Sequence, residues 1–264
     1  MTAHVQWEQP AEHVGLAVID RQERRNALTA ELCDELRSRL ESARGLRALV
    51  ITGEGKAFCA GADLARRSAD TEPGAGGLEH GGGDTFRPSF ERLLDAIVNH
   101  PAPVIAAVNG PALGAGMQLA VACDLRVASE SATFGIPAAR LGVVLSAANV
   151  RRLALLIGHA AARDLLMTGR ALTIDDADRL GIVHRRGRDA RVVGLSLAEE
   201  LAGLAPLTVQ GHKRALNLVM AQGALGDAAL AEVGALEAAA FASDDLQEGL
   251  AAFAEKRPPV FGGN

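Results

Sequence analysis

Apolar positions along the chain follow two periodicities. Val14 to Ile19 (VGLAVI) and Leu46 to Thr52 (LRALVIT) are short, nearly continuous apolar runs, the pattern of strands covered on both faces. Between them, TAELCDELRSRLESA sets Leu32, Leu36 and Leu40 at i, i+4 and i+8, an amphipathic helix for which Asn26 and Thr29 are the two candidate caps. Strand, helix, strand in this order argues for α/β units joined by right-handed crossovers. A second amphipathic helix runs through Phe90, Leu93, Leu94 and Ile97, closed by Pro101 and Pro103. Val104 to Val108 is the next buried strand. After Asp124 the pattern gives a short strand, a turn at FGIP, a helix over NVRRLALLIG and two short helical pieces within residues 160–183. From Val192 onward it is helical almost throughout, so the early half is α/β and the later third all helix. No period typical of a solenoid is visible.

Two interruptions of this pattern carry candidate chemistry. In PVIAAVNGPALGAGMQLAVACD (103–124) the buried strand breaks at Asn109, Gly110 and Pro111, loosens again at Gly114-Ala115-Gly116, and enters good helix formers at or just after Gly116. A strand, a glycine-relieved turn and a helix start bring unpaired backbone NH groups to one point, which suits a negatively charged oxygen. The stretch has the length of a membrane span, about twenty residues, but Asn109, Gln118 and the breakers interrupt it and no basic flank marks an inside end. The second interruption, FCAGADL, places Gly61 between Ala60 and Ala62, ahead of a probable helix, where small side chains admit a ligand close to the backbone. The nearby GEGK lacks Walker-loop spacing.

Composition narrows the class. The 264 residues, 48% hydrophobic and 22% charged, suit a soluble globular protein with a substantial core. A net charge of −5 gives no case for nucleic acid or an anionic membrane as partner. Cys33, Cys59 and Cys123 are odd in number and widely spaced, which fits reduced thiols in a cytoplasm. The N-terminus has no export pattern, so a cytoplasmic location is expected. Residues 68–86 are glycine-rich and read as a loop; His80 and Asp84 within it are too few for a metal, and no metal site is expected.

With ERRNAL, FCAGADL, PVIAAVNGPALGAGMQLAVACD, ADRLGIV and EGLAAFAEKRPPVF on the page, the sequence resembles the crotonase, or enoyl-CoA hydratase/isomerase, family over nearly its whole length. The resemblance implies an α/β fold, a crotonase-like β-β-α spiral core over residues 1–200, with a helical C-terminal trimerisation region over 201–264. It implies a homotrimer or dimer of trimers. It also implies acyl-CoA thioesters as substrates, with no cofactor beyond the coenzyme A of the substrate itself. The thioester oxygen would lie between the backbone NH groups of Ala62 and Ala115, an oxyanion hole that stabilises enolate charge; one such donor is worth roughly 2.7–4 kcal/mol. Arg25, Ala27, Ala60, Gly61, Asp63, Leu64 and Gly114 would line the coenzyme A track. Phe253 and Lys256 match a C-terminal segment that approaches coenzyme A from the same or a neighbouring subunit.

The proton-handling positions depart from the family pattern. Hydratases of the family use two glutamates; here the matching positions are Gln118 and Ala138. Glutamine can hold a water but does not exchange a proton near neutral pH, and alanine does neither. A third position, often aspartate, matches Ser146, a weak nucleophile without a base beside it; His80 and His184 are the histidines that could reach it in space. Arg140 stays ionised and is a poor donor, and Asp124 reads as structural. Two functions therefore stand. One is an enzyme that stabilises a thioester enolate and moves protons with other groups; the other is a non-catalytic acyl-CoA binding or carrier protein.

Overall fold

The computed structural model of the chain describes residues 4–43, 45–63, 85–141, 143–221, 228, 231–232, 234–235, 239, 243–255 and 257–264. Six strands form the main sheet: β1 (His4–Ala11), β2 (Val14–Asp20), β3 (Ala48–Gly53), β4 (Val104–Val108), β6 (Leu125–Ser129) and β9 (Arg185–Gly187), in spatial order β1-β2-β3-β4-β6-β9. Only the β1–β2 pair is antiparallel; every later neighbour is parallel. Strand β1 has no counterpart in the apolar pattern, because HVQWEQPA alternates weakly and pairs at the sheet edge with mostly exposed or half-buried side chains.

Period-2 alternation divides each central strand between two layers. Leu16, Val50, Ile105, Ala107 and Val127 face one way and pack under helix α7 (Ala190–Ala202), against Leu197 and Ala198. Ala17, Ile19, Leu49, Ile51 and Ala106 face the other way. There they meet Leu32, Leu36 and Leu40 of α1 (Ala30–Ser42) and Leu93, Leu94 and Ile97 of α2 (Phe86–Val98). Thr29 caps α1, its side chain accepting from the Leu32 NH. Asn26, the other candidate cap, is instead a fully buried residue with φ 58°.

Each turn of the chain adds a main-sheet strand, a short extended piece and a helix, and the short pieces stack on one another. Leu28 bridges Ala62 and Cys59 bridges Ala112. β5 (Ala112–Leu113) pairs with β7 (Phe134–Gly135), which pairs with β8 (Ala171–Leu172). This is the expected β-β-α spiral. Helix α3 (Ala115–Ala122) starts one residue earlier than the glycines suggest. Then come α4 (Ala147–Ile157), α5 (His159–Thr168) and α6 (Ile174–Arg179). The expected domain boundary at 200/201 falls in the last turn of α7, whose Ala190, Leu197, Ala198 and Ala202 belong to the core layer.

The C-terminal helices α8 (Pro206–Ala221) and α9 (Asp244–Glu255) are fastened at the N-terminal edge of the parallel sheet. Lys213 on α8 is buried; its Nζ lies 2.7 Å from Asp124 Oδ2 and donates to the Ile97 and Ala102 carbonyls. Asp124 also accepts from the Val104 NH at the start of β4. Burial pushes the Asp124 carboxyl upward, and the Lys213 ammonium and the Val104 NH oppose that shift. Arg126, also buried, donates to the Ile182, Ala120 and Cys123 carbonyls. At the start of β3, Arg47 donates to the Phe261 and Gly262 carbonyls and so holds the tail, while Asp245 receives the NH groups of Gly262 and Gly263.

Two stability predictions follow from this edge. Removing one member of a buried ion pair strands the other, so Lys213→Met should lose about 3–5 kcal/mol of unfolding free energy. The double variant with Asp124→Asn, which keeps an acceptor for Val104, should recover part of that loss in urea titrations. His184 accepts the Arg126 NH through Nδ1. Partial burial and the Arg126 charge hold its pKa below the usual value of about 6.5. The folded state therefore favours neutral imidazole, and this contribution is full above pH 6.5 and falls away as pH drops below it. Wild type should lose a modest increment of stability between pH 7 and 5 that His184→Gln keeps, because the ring is partly exposed.

Candidate functional site

The two interrupted turns meet at the C-terminal edge of the sheet, opposite the edge that holds α8 and α9. The first is assembled by the stretch before α1. Arg25 and Asn26 both adopt positive φ, 50° and 58°, and this turns their backbone toward residues 57–63. Asn26 Nδ2 donates to the Glu54 and Ala57 carbonyls and Oδ1 accepts from the Arg21 NH. The Arg25 carbonyl accepts from the Ala60 NH, and Leu28 exchanges bonds with the Gly61 carbonyl and the Asp63 NH. Arg21 completes the frame: its Nη2 meets Asp63 Oδ2 at 2.6 Å, both side chains largely buried, and Nη1 reaches the Ala27 carbonyl.

The second turn docks on the first through Cys59, whose NH donates to the Pro111 carbonyl and whose carbonyl accepts from the Leu113 NH. Gly61, at φ 111°, and Gly114, at φ 55° and ψ −115°, take backbone conformations that side chains resist. They lie back to back: a Cβ on Gly61 would stand 3.0 Å from the Leu113 carbonyl oxygen and 3.7 Å from the Ala115 nitrogen. The Leu28 bridge uses the Gly61 carbonyl and the Asp63 NH, so the intervening Ala62 NH points away from it. Ala115 is the first residue of α3, where NH groups have no intrahelical acceptor. Among the described residues, neither the Ala62 nor the Ala115 NH meets an acceptor.

Gln118 is half-buried and folds back so that Nε2 donates to the Gly114 carbonyl at 3.3 Å. Ala138 is half-buried in the 3₁₀ turn Pro137–Leu141. Ser146 caps α4, its Oγ accepting from the Asn149 NH, which gives that hydroxyl a structural task. His184 is bonded to Arg126 at the far edge of the sheet, and His80 lies outside the described residues. Arg140 is exposed and packs against Gly169. Gln118 shares a crevice too narrow for a water molecule with Val121, Ile136, Asn149, Arg152 and Leu153. Asn149 is buried; its Oδ1 accepts from Arg152 Nη1 at 2.8 Å, its Nδ2 faces Glu91 Oε1 at 3.5 Å, and Arg152 Nη2 reaches Asp95 at 3.0 Å.

Arg25, Ala27, Ala60, Gly61, Asp63 and Gly114 thus cluster with the two NH groups, with Arg25 exposed and Ala27 buried. Leu64, Asp84 and Lys256 lie outside the described residues, and Phe253 belongs by its backbone to α9. All three cysteines are free and buried; burial pushes the Cys59 and Cys123 thiols up to about 12 and Cys33 upward as well, so none offers a thiolate. Among the described residues no three His, Cys, Asp or Glu side chains gather as metal ligands. The sequence pattern offers Asn26 only as a helix cap and does not single out Arg21, Glu91 or Asn149. A signal was present for the last two: Glu91 and Asp95 at i, i+4 and Asn149 and Arg152 at i, i+3 place polar groups beside apolar stripes.

The contact between the turns predicts a packing limit. A Cβ on Gly116 would fall 2.2 Å from the Cys59 carbonyl oxygen. Gly116→Ala should therefore force the turns apart and cost about 1–3 kcal/mol, read as a lower urea midpoint.

Comparison with known proteins gives concordant results. The family model described as enoyl-CoA hydratase/isomerase matches residues 11–264. A probable enoyl-CoA hydratase, echA6, from Mycobacterium leprae is 39% identical, covering 96% of this chain and 97% of the relative. A putative enoyl-CoA hydratase from Thermus thermophilus is also 39% identical, covering 94% and 97%. Among solved structures, the crystal structure of enoyl-CoA hydratase from Bacillus anthracis superposes with a TM-score of 0.87 at 30% identity, covering 98% of this chain and 99% of that one.

Proposed function

The chain belongs to the enoyl-CoA hydratase/isomerase family, and from that premise we propose that it stabilises the enolate of an acyl-CoA thioester between the Ala62 and Ala115 NH groups. The carrying observation is the pair of acceptor-free NH groups at the meeting of the two turns. Donors fixed in advance gain most from charge that develops during reaction, because no reorganisation is needed when it appears. Both donors are backbone, and the alanine side chains leave room for the thioester. In this reading Arg25, Ala27, Ala60, Gly61, Asp63, Leu64 and Gly114 flank the coenzyme A track. Asp63 acts through its bond to Arg21, which holds the turn. The chemistry belongs to acyl-CoA metabolism and uses no cofactor beyond the coenzyme A of the substrate. We place the protein in the cytoplasm.

The reaction is narrowed by the side chains at the hole. Hydration needs groups that deliver water and exchange its protons; neither Gln118 nor Ala138 exchanges one, and Gln118 spends its amide NH on Gly114. Enolate formation with proton return to carbon fits this site better than addition of water. A second reading, a non-catalytic acyl-CoA carrier, is favoured by the same two residues. Residues 201–264 would form the assembly region of a homotrimer or dimer of trimers. Because α8 and α9 are fastened at the edge opposite the hole, Phe253 and Lys256 would serve the coenzyme A of a neighbouring copy.

The test uses a panel of acyl-CoA and enoyl-CoA thioesters in heavy water, with products read by mass. Deuterium at the α-carbon without added water is the expected result. Ala115→Pro removes one donor NH at a helix position that tolerates proline. It should lower the exchange rate roughly 10²- to 10³-fold while the protein stays folded. Unchanged exchange in the folded variant would refute the role of that NH, and binding without any turnover would favour the carrier.

A further inference from the structure

Gln118 and Ala138 supply no group to take and return the proton, and among the described residues the seam where α2, α3 and α4 converge holds a carboxylate suited to it. Two carboxylates on α2 face α4. Asp95 is compensated, since Arg152 Nη2 bonds it at 3.0 Å. Glu91, half-buried one turn earlier, has among the described residues no cation; its one contact is Asn149 Nδ2 at 3.5 Å, the outer limit of a hydrogen bond. Asn149 itself cannot drift toward Glu91, because Arg152 holds its Oδ1 at 2.8 Å and its NH meets Ser146 Oγ. Asn149 lines the crevice beside Gln118, and Gln118 stands three residues, about 4.5 Å of helix rise, beyond Ala115.

Resting on the enolate reading above, we propose that Glu91 is the acid–base group of this site. Its carboxylate leaves the long Asn149 contact and takes a proton from the α-carbon of the bound acyl-CoA. The C–H bond breaks, its electron pair moves into the enolate, and the charge on the thioester oxygen is received by the Ala62 and Ala115 NH groups. In heavy water the carboxylic acid so formed swaps that proton for a solvent deuteron and returns it to the α-carbon, giving exchange. With a β,γ-unsaturated chain it returns the proton to the γ-carbon, giving the α,β-isomer. Atoms balance with no water or second reactant, so the substrates implied are thioesters with an acidic α-hydrogen, β,γ-unsaturated ones included. Asn149 is a positioning residue that sets the resting place of the carboxylate.

The experiment measures α-deuterium incorporation and acyl-CoA affinity for the full chain in heavy water. Glu91→Gln should lower incorporation roughly 10²- to 10⁴-fold with affinity nearly unchanged and lose the acid limb of the rate–pH profile. Glu91→Asp, which keeps the carboxylate, should retain intermediate exchange and its pH limb. Asp95→Asn, which keeps an oxygen for Arg152, should lower exchange far less than Glu91→Gln. Wild-type exchange in Glu91→Gln overturns the assignment of Glu91 and leaves the enolate reading standing. Affinity without exchange in wild type overturns the assignment and supports the carrier, and absence of acyl-CoA binding overturns both readings. Should Glu91→Gln fail to fold by circular dichroism, the decision passes to Glu91→Asp: loss of its pH limb overturns the proposal.

Discussion

The structure depends on one close approach, the docking of residues 59–63 onto residues 111–116. Two loops meet backbone to backbone there, with the Cys59 NH and carbonyl bonded to Pro111 and Leu113. Such contact is possible only where side chains are absent or small, which explains the run of alanine and glycine on both sides. It also fixes the direction of the NH groups that remain. Once Leu28 has taken the bonds on either side of Ala62, and α3 has begun at Ala115, the two leftover donors are set by backbone geometry alone. Side-chain identity at those positions then matters through size rather than chemistry.

The opposite edge of the sheet works by different physics. There the chain buries charge: Lys213 and Arg126, with half-buried Asp124 beside them, sit among the carbonyls around the start of β4 and the ends of α2 and α3. Buried ions are costly unless their hydrogen bonds are satisfied, and here they are, by groups from several elements. Such a cluster tolerates little sliding, so it fixes where α8 crosses the sheet. Strands of five or six residues separate this edge from the turns by roughly 17–20 Å. The buried-charge anchor and the docked turns are thus kept apart, so a disturbance at one need not loosen the other.

Much of this was legible in the sequence, though unevenly. Strands β2, β3 and β4 and helices α1 and α2 were plain because apolar periodicity records burial directly. Strand β1 was not, since an edge strand keeps polar side chains and leaves no apolar run. The small-residue turns could be recognised as loosened backbone, but not which NH groups would stay unpaired. That depends on the Leu28 bridge, more than thirty residues away from Ala62 in the chain. The Arg21–Asp63 pair was hidden for the same reason. Ser146 shows the converse: resemblance offered a reactive role, while the coordinates give its oxygen to the helix cap.

The separation of backbone from side-chain function also explains how this fold can keep its electrostatics while its proton chemistry changes. The side chains at 118 and 138 leave the Ala62 and Ala115 donors in place, because the bonds between the two turns run through the backbone of Cys59, Pro111 and Leu113, and the Gln118 amide bonds only within its own turn, to Gly114. In the proposed reading the enolate is still stabilised there, and only the route of the proton is open to change. A new route needs an ionisable group on a surface the acyl chain passes, held loosely enough to move. In the proposal above, the seam between α2 and α4 supplies that group. Its rigid member, Arg152, is tied at both ends, and Glu91 is joined through a single long contact that yields at small cost.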